Sequence, residues 1–166
     1  AMEAGLCEGE EVVVVGGGNS AGQAAVFLSN HTRHVHMLIR GKNLAASMSD
    51  YLIQRIDASD RITLHRNTEV AGLAGDPLLE ELTWRNRETG EESTHSIRHL
   101  FLMIGAVPNS LFLSGCVMTD KRGFICTGNE VVDAEAWKLD RLPQPFETSL
   151  PSVFAVGDVE ARHSGF

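Results

Sequence analysis

A mixed α/β fold with a parallel sheet is predicted by three features of the sequence. The first is Glu11 to Leu28, where four valines, Val12 to Val15, run without alternation into Gly16-Gly17-Gly18. An unbroken β-branched run reads as a strand buried on both faces. Asn19 and Ser20, both good N-cap residues, then precede an Ala-rich apolar run that reads as a helix. The second feature is a repeat of this strand–helix alternation as far as His65. The third is a run of short segments between Glu69 and Arg98, separated by Gly75-Asp76-Pro77 and by the polar turn Arg87 to Glu92. That run reads as an antiparallel meander, inserted as a crossover before a last buried strand. The order β-α-β-α-β-meander-β predicts a Rossmann-like domain, its glycine turn at the carboxyl edge of a small parallel sheet.

In chain order, residues 1–10 read as an acidic lead-in. The first helix is expected from Ser20 to Ser29, and Asn30 to Arg33 turn the chain into a second strand, His34 to Ile39. Arg40-Gly41-Lys42 closes it. A second helix, capped near Asn43 or Ser47 and ending near Ala58, would carry Leu44, Met48, Leu52 and Ile56 on one apolar face. Arg61 to His65 reads as a third strand. Glu69 to Leu73, Leu79 to Asn86 and Ser93 to Arg98 form the meander, and His99 to Ile104 returns as a buried strand ending at Gly105. Beyond it, Ala106 to Asn109 is a turn and Leu111 to Leu113 a short apolar piece. Residues 129–150, with Pro143 and Pro145, read as loop, and Val153 to Val156 as a final strand before Gly157-Asp158. The chain stops eight residues after Asp158, which reads as a cut across a domain.

Composition narrows the classes. The 166 residues are 43% hydrophobic and 22% charged, as in an ordinary globular protein, with a net charge of −8. That charge argues against a nucleic-acid binder, and no apolar run approaches the ~20 residues of a membrane span. Nothing suggests export, so a cytoplasmic location is expected. Cys7, Cys116 and Cys126 form no C-x-x-C, and therefore neither a disulfide scaffold nor a zinc site.

The glycine turn carries the chemistry. Its spacing fits G-x-G-x-x-A: Gly16 for the sharp turn, Gly18 for close approach of a phosphate, Ala21 for helix–strand packing. With Asn19 and Ser20 it makes a socket for a dinucleotide pyrophosphate at a helix N-terminus. No Asp or Glu lies between Glu11 and Asp50, so the acid that would select NAD through its ribose is missing. Arg40 and Lys42 suit the 2′-phosphate of NADPH instead; the alternative is a solvated loop with two incidental cations. His31, His34 and His36 read as satisfied core or loop residues, and His65, His95, His99 and His163 as scattered. Tyr51, four residues before Arg55, does not make the Tyr-x-x-x-Lys of a short-chain dehydrogenase. No residue is assigned a catalytic or metal-ligating role, so the reaction must come from a cofactor.

Gly16 to Ala21, Gly105-x-x-Pro108-Asn109 and the run Leu150 to Asp158, in that order, resemble the low-molecular-weight thioredoxin reductases. The stretch Leu38 to Ile53 resembles a subgroup often joined to a cyclic-nucleotide-binding domain. The resemblance implies that residues 1–105 are an NAD(P)H-binding domain and 106–166 a partial returning segment of an FAD-binding domain. It implies hydride transfer from NADPH to FAD, with Gly157 and Asp158 in the flavin site and Gly105 shaping the passage between domains. The partners it implies are the remainder of a parent flavoprotein and a possible homodimer. The family's C-x-x-C and its flavin-binding glycine motif are absent from this chain, so by itself it is expected to be inactive and to bind flavin poorly. The competing reading is a module that senses a nucleotide, without turnover, for a regulatory domain.

Overall fold

The structure is a computed structural model and describes residues 5–132, 135 and 137–160. The chain divides into two compact units, Ala1–Gly105 and Ala106–Phe166.

The first unit is a mixed α/β domain. Its parallel sheet has the order β3-β2-β1-β7, with β1 Glu11–Val15, β2 His34–Leu38, β3 Ile62–His65 and β7 His99–Leu102. Helices α1 (Asn19–Leu28) and α2 (Asp50–Asp57) follow β1 and β2. The inserted sheet, β4 Thr68–Ala74, β5 Glu81–Asn86 and β6 Glu92–His95, is antiparallel, with a bulge between Val70 and Gly72.

The valine run is explained by what covers it. Successive strand residues point to opposite faces. Val12 and Val14 join the cluster that holds Ala21 and Ala25 of α1 and Leu52 and Ile56 of α2. Val13 joins Leu38 in a second cluster with Leu82 and Trp84 of β5 and with Ile97. Helices thus cover one face and the meander the other, so Val12, Val13 and Val14 leave no room for a polar residue, while Glu11 at the strand's start is only partly buried. Each buried valine adds about 1.5–3 kcal/mol of apolar burial.

Two strands of the meander and the last strand are shorter than expected, β5 starting at Glu81, β6 ending at His95 and β7 at Leu102, and β7 is only partly buried; both helix starts differ too. α2 begins at Asp50, with Ser49 at its N-cap, rather than near Asn43 or Ser47. Leu44 and Met48 are nevertheless buried, at 3% and 6% exposure, as anchors of an irregular connection and not as a helix face. α1 starts one residue early, with Gly18 at its N-cap and no side chain capping it; Asn19 and Ser20 lie inside the helix.

The second unit has no strand ladder among its described residues. It has 3₁₀ turns at Leu111–Leu113 and Gly128–Val131, and isolated bridges such as Thr127 with Thr148. The expected strand Val153 to Val156 is not formed; Phe154 alone bridges Glu147. The reason is local. Phe146 and Ser152 both take left-handed backbone, φ 64 and φ 66, and curl the chain tightly about Glu147. Glu147 is fully buried, yet each carboxylate oxygen accepts one Arg141 guanidinium bond at 2.7 Å and one backbone N–H at 2.8 Å, from Gln144 or Ser152.

Candidate functional site

The glycine turn leaves β1 between two neighbouring strands. The Gly16 N–H donates to the Leu38 carbonyl of β2 at 3.1 Å, and the Met103 N–H, just past β7, donates to Val15 at 2.8 Å. Gly16 sits at φ 145, where a Cβ would drive into the Met103 carbonyl and come within 3.1 Å of the Ala21 Cβ. Only glycine fits there. Gly18 differs: a Cβ on it would meet nothing nearer than the Ser47 carbonyl, at 3.8 Å. Space above Gly18 and an uncapped α1 N-terminus leave the first helical N–H groups free of intrahelical partners, as an anionic group requires. Ala21 is fully buried, the small residue that the motif asks for.

Residues 44–49 hold the turn from outside. The Ser47 hydroxyl donates to the Gly17 carbonyl at 2.8 Å, and the Ser49 N–H donates to the Asn19 side-chain carbonyl at 2.8 Å. Asn19 therefore braces this connection instead of capping α1, while Ser20 is exposed. Gly22 completes the fit: a Cβ there would lie 2.8 Å from the Met48 sulfur. Sequence reasoning misses Ser49 and Gly22 and takes Ser47 only as a candidate helix cap. The Gly18-x-x-x-Gly22 spacing was a visible signal for close approach; the serines gave none, because their partners lie 30 residues away.

Arg40 and Lys42 follow β2. Arg40 is exposed and makes no ion pair among the described residues, although its charge helps to lower the Glu69 pKa, an effect led by the Arg85 hydrogen bond. Lys42 pairs with Glu88 of the β5–β6 turn at 3.3 Å. The acid-free stretch from 12 to 49 thus acquires acidic neighbours from the meander, which the local sequence did not reveal. Gly105 (φ 90) closes the first unit, with open space around its Cβ position. Gly157 (φ 85) and exposed Asp158 lie in the second unit, where the Ile125 N–H donates to the Val159 carbonyl at 2.8 Å and fixes the turn.

His65 and His95 are not scattered but meet His36, whereas His99 lies apart, 3.5 Å from Glu10, and His163 is outside the described residues. His36 Nδ1 and His65 Nε2 are 3.1 Å apart, His36 Nε2 lies 3.3 Å from Glu11, and His95 stacks on Trp84 with centroids 3.7 Å apart. His65 and Trp84 are 4.9 Å apart. Parallel pairing aligns β2 with β3, and the meander lays β5 and β6 over them, so residues remote in sequence converge. Burial pushes the His65 pKa down from 6.5 to about 4 and lowers that of His36. No metal-binding group of three ligands occurs among the described residues. Cys7 is 1% exposed, and burial, with Glu10 beside it, raises its thiol pKa. No helix among the described residues is long and apolar enough to cross a membrane.

The family profile for pyridine nucleotide-disulphide oxidoreductases matches residues 2–165. The chain is 33% identical over 153 residues to a Bacillus subtilis NADH dehydrogenase, covering 92% of this chain and 27% of that protein. It is 32% identical over 157 residues to NADPH-dependent thioredoxin reductase 3 of Arabidopsis thaliana, covering 93% and 27%. Among solved structures, T. acidophilum thioredoxin reductase superposes with a TM-score of 0.76 at 26% identity, over 98% of this chain and 48% of that one. The chain thus spans 27% to 48% of the length of these relatives. With the glycine turn, the parallel sheet and a profile match over nearly its whole length, the chain belongs to the pyridine nucleotide-disulphide oxidoreductase family.

Proposed function

We propose that this chain is the NADPH-binding portion, with part of the FAD domain, of a thioredoxin-reductase-like flavoprotein that passes hydride from NADPH to FAD. The observation that carries the reading is the glycine turn: Gly16 crossing against Met103, open space at Gly18, and an uncapped α1 N-terminus. When bound, the nicotinamide supplies the hydride and the flavin accepts it. The chain's own residues bind and orient. The N–H groups of Gly18, Asn19 and Ser20 receive the pyrophosphate, and Ala21 lets α1 sit close behind them. Arg40 holds the 2′-phosphate. Lys42 contributes less, because Glu88 competes for its ammonium group.

Gly105 would shape the passage between the NAD(P)H and FAD portions, and Gly157 and Asp158 would belong to the flavin site. A homodimeric, cytoplasmic parent, with a cyclic-nucleotide-binding domain fused to it, belongs to the same reading. The buried Cys7, its thiol pKa raised, is poorly suited to disulfide exchange. That favours, as the second reading, a nucleotide sensor without turnover.

Calorimetric titration of NADPH and NADH separates the cofactors. A charge-assisted contact is worth roughly 1.5–3 kcal/mol, so Arg40→Ala should weaken NADPH about tenfold to a hundredfold and leave NADH unchanged. A wild-type preference for NADH, or equal losses for both cofactors, would remove Arg40 from phosphate recognition.

A further inference from the structure

The connection 44–49 is more than a link between β2 and α2. Leu44 and Met48 are plugged into the helix-side core, with Met48 against Gly22 and Leu44 beside Gly17. These two anchors fix the backbone between them, and Ser47 is the residue they present to the glycine turn. Its hydroxyl donates to the Gly17 carbonyl at 2.8 Å. In a planar trans peptide the carbonyl and the following N–H point in opposite directions. Holding the Gly17 carbonyl on Ser47 therefore turns the Gly18 N–H away from the connection. Both flanking residues are glycines, whose backbones otherwise rotate freely, so this peptide has no side chain of its own to set its orientation.

We infer that Ser47 is a positioning residue for dinucleotide binding: its hydroxyl locks the Gly17–Gly18 peptide in the orientation that offers the Gly18 N–H to the pyrophosphate. This rests on the reading of the glycine turn as a dinucleotide site. Ser47 acts on the backbone of the glycine turn, which would face the pyrophosphate that NADPH and NADH share, so the same effect is expected on both. Arg40, at the adenosine end, discriminates between them.

The test is calorimetric titration of NADPH and of NADH into the 166-residue chain as wild type, Ser47→Ala and Ser47→Thr, with a thermal melt of each. Ser47 is exposed, so Ser47→Ala should melt with the wild type. Loss of one neutral hydrogen bond should weaken both cofactors by the same factor, about threefold to tenfold. Ser47→Thr, which keeps the hydroxyl, should restore binding. Unchanged affinity in Ser47→Ala, a loss confined to NADPH, or a loss accompanied by a lowered melting temperature would overturn the inference while leaving the dinucleotide site standing. Failure of the wild type to bind either cofactor would overturn that site and the inference with it.

Discussion

The two units reach a folded state by different means. Among the described residues, the core of the first is almost wholly apolar: twenty buried hydrophobic side chains stand against Ser29, Thr32 and Thr68. In the second, apart from Pro108 and Pro143, four buried apolar side chains (Ile125, Cys126, Val131 and Ala155) are outnumbered by five polar ones. Regular strands let the first unit satisfy its backbone within ladders, so its side chains are free to be greasy. The second has only isolated bridges, and buried side chains take over the backbone's hydrogen bonds. Glu147 accepts from Gln144 and Ser152, and the Ser149 hydroxyl accepts from the Met118 N–H at 2.7 Å. Where secondary structure is thin, polar side chains carry the order.

The largest test of this contrast lies in the first unit. Trp84 is 6% exposed and belongs to the cluster that joins the meander to the parallel sheet. Trp84→Ala should cost about 3–5 kcal/mol, the usual range for a buried aromatic truncated to alanine. Urea unfolding gives the magnitude, and amide exchange its location: protection should fall across residues 5–105. Equal loss in the second unit would mean that the two are stabilised as one.

The same contrast governs what could be read from sequence. The first unit was legible because periodicity and turn residues report on ladders and apolar faces. The valine run, the glycine turn and the meander order all follow from local rules. What stayed hidden depends on contacts remote in sequence. His36, His65 and His95 meet only because β3 pairs with β2 and the meander folds over both. Glu88 reaches Lys42 across 46 positions. In the second unit, Val153 to Val156 has strand-like composition, but its backbone is committed to curling about Glu147, whose buried pairing no composition rule detects. Leu44 and Met48 carry helical spacing while serving as anchors of a loop, so local periodicity starts α2 ahead of Asp50.

Acid should separate the units next. Burial holds His65 neutral, its pKa lowered from 6.5 to about 4, with His34, His36 and His95 adding like charge when protonated and Glu11 beside His36 opposing them. The unfolded chain therefore binds this proton more readily than the fold does. Stability from the group is complete above 6.5 and declines as pH falls towards 4. Glu147 behaves as a depressed carboxylate, taken from 4.5 to about 2 chiefly by its Arg141 hydrogen bonds. Its contribution is complete above 4.5 and is lost only between 4.5 and 2. Amide exchange followed down the pH scale should show the first unit loosening below 6.5 while the second is still unaffected. His65→Gln should flatten the first decline, and Glu147→Gln should remove the second. A simultaneous onset would mean that neither group sets the acid response of its unit.

The smallest expected effects come from one substitution made in both units. Thr83 on β5 shares a hydrogen bond of 2.8 Å with Thr94 across an exposed face of the meander. Valine keeps the β-branched shape and loses only that contact, so Thr83→Val should shift stability by less than about 1 kcal/mol. Thr127, 7% exposed, donates its hydroxyl to a Glu160 carboxylate oxygen at 2.9 Å, while its own N–H donates to Glu130 at 3.1 Å. Thr127→Val has the same shape but takes a donor from a charged acceptor, a loss of about 1.5–3 kcal/mol. Paired urea titrations of the two variants, with exchange read separately over 5–105 and 106–160, compare them directly. If Thr83→Val costs as much as Thr127→Val, side-chain polarity contributes no more to the second unit than to the first. A larger loss at Thr127, confined to its own unit, would instead show buried hydroxyls and carboxylates supplying there the order that ladders supply elsewhere.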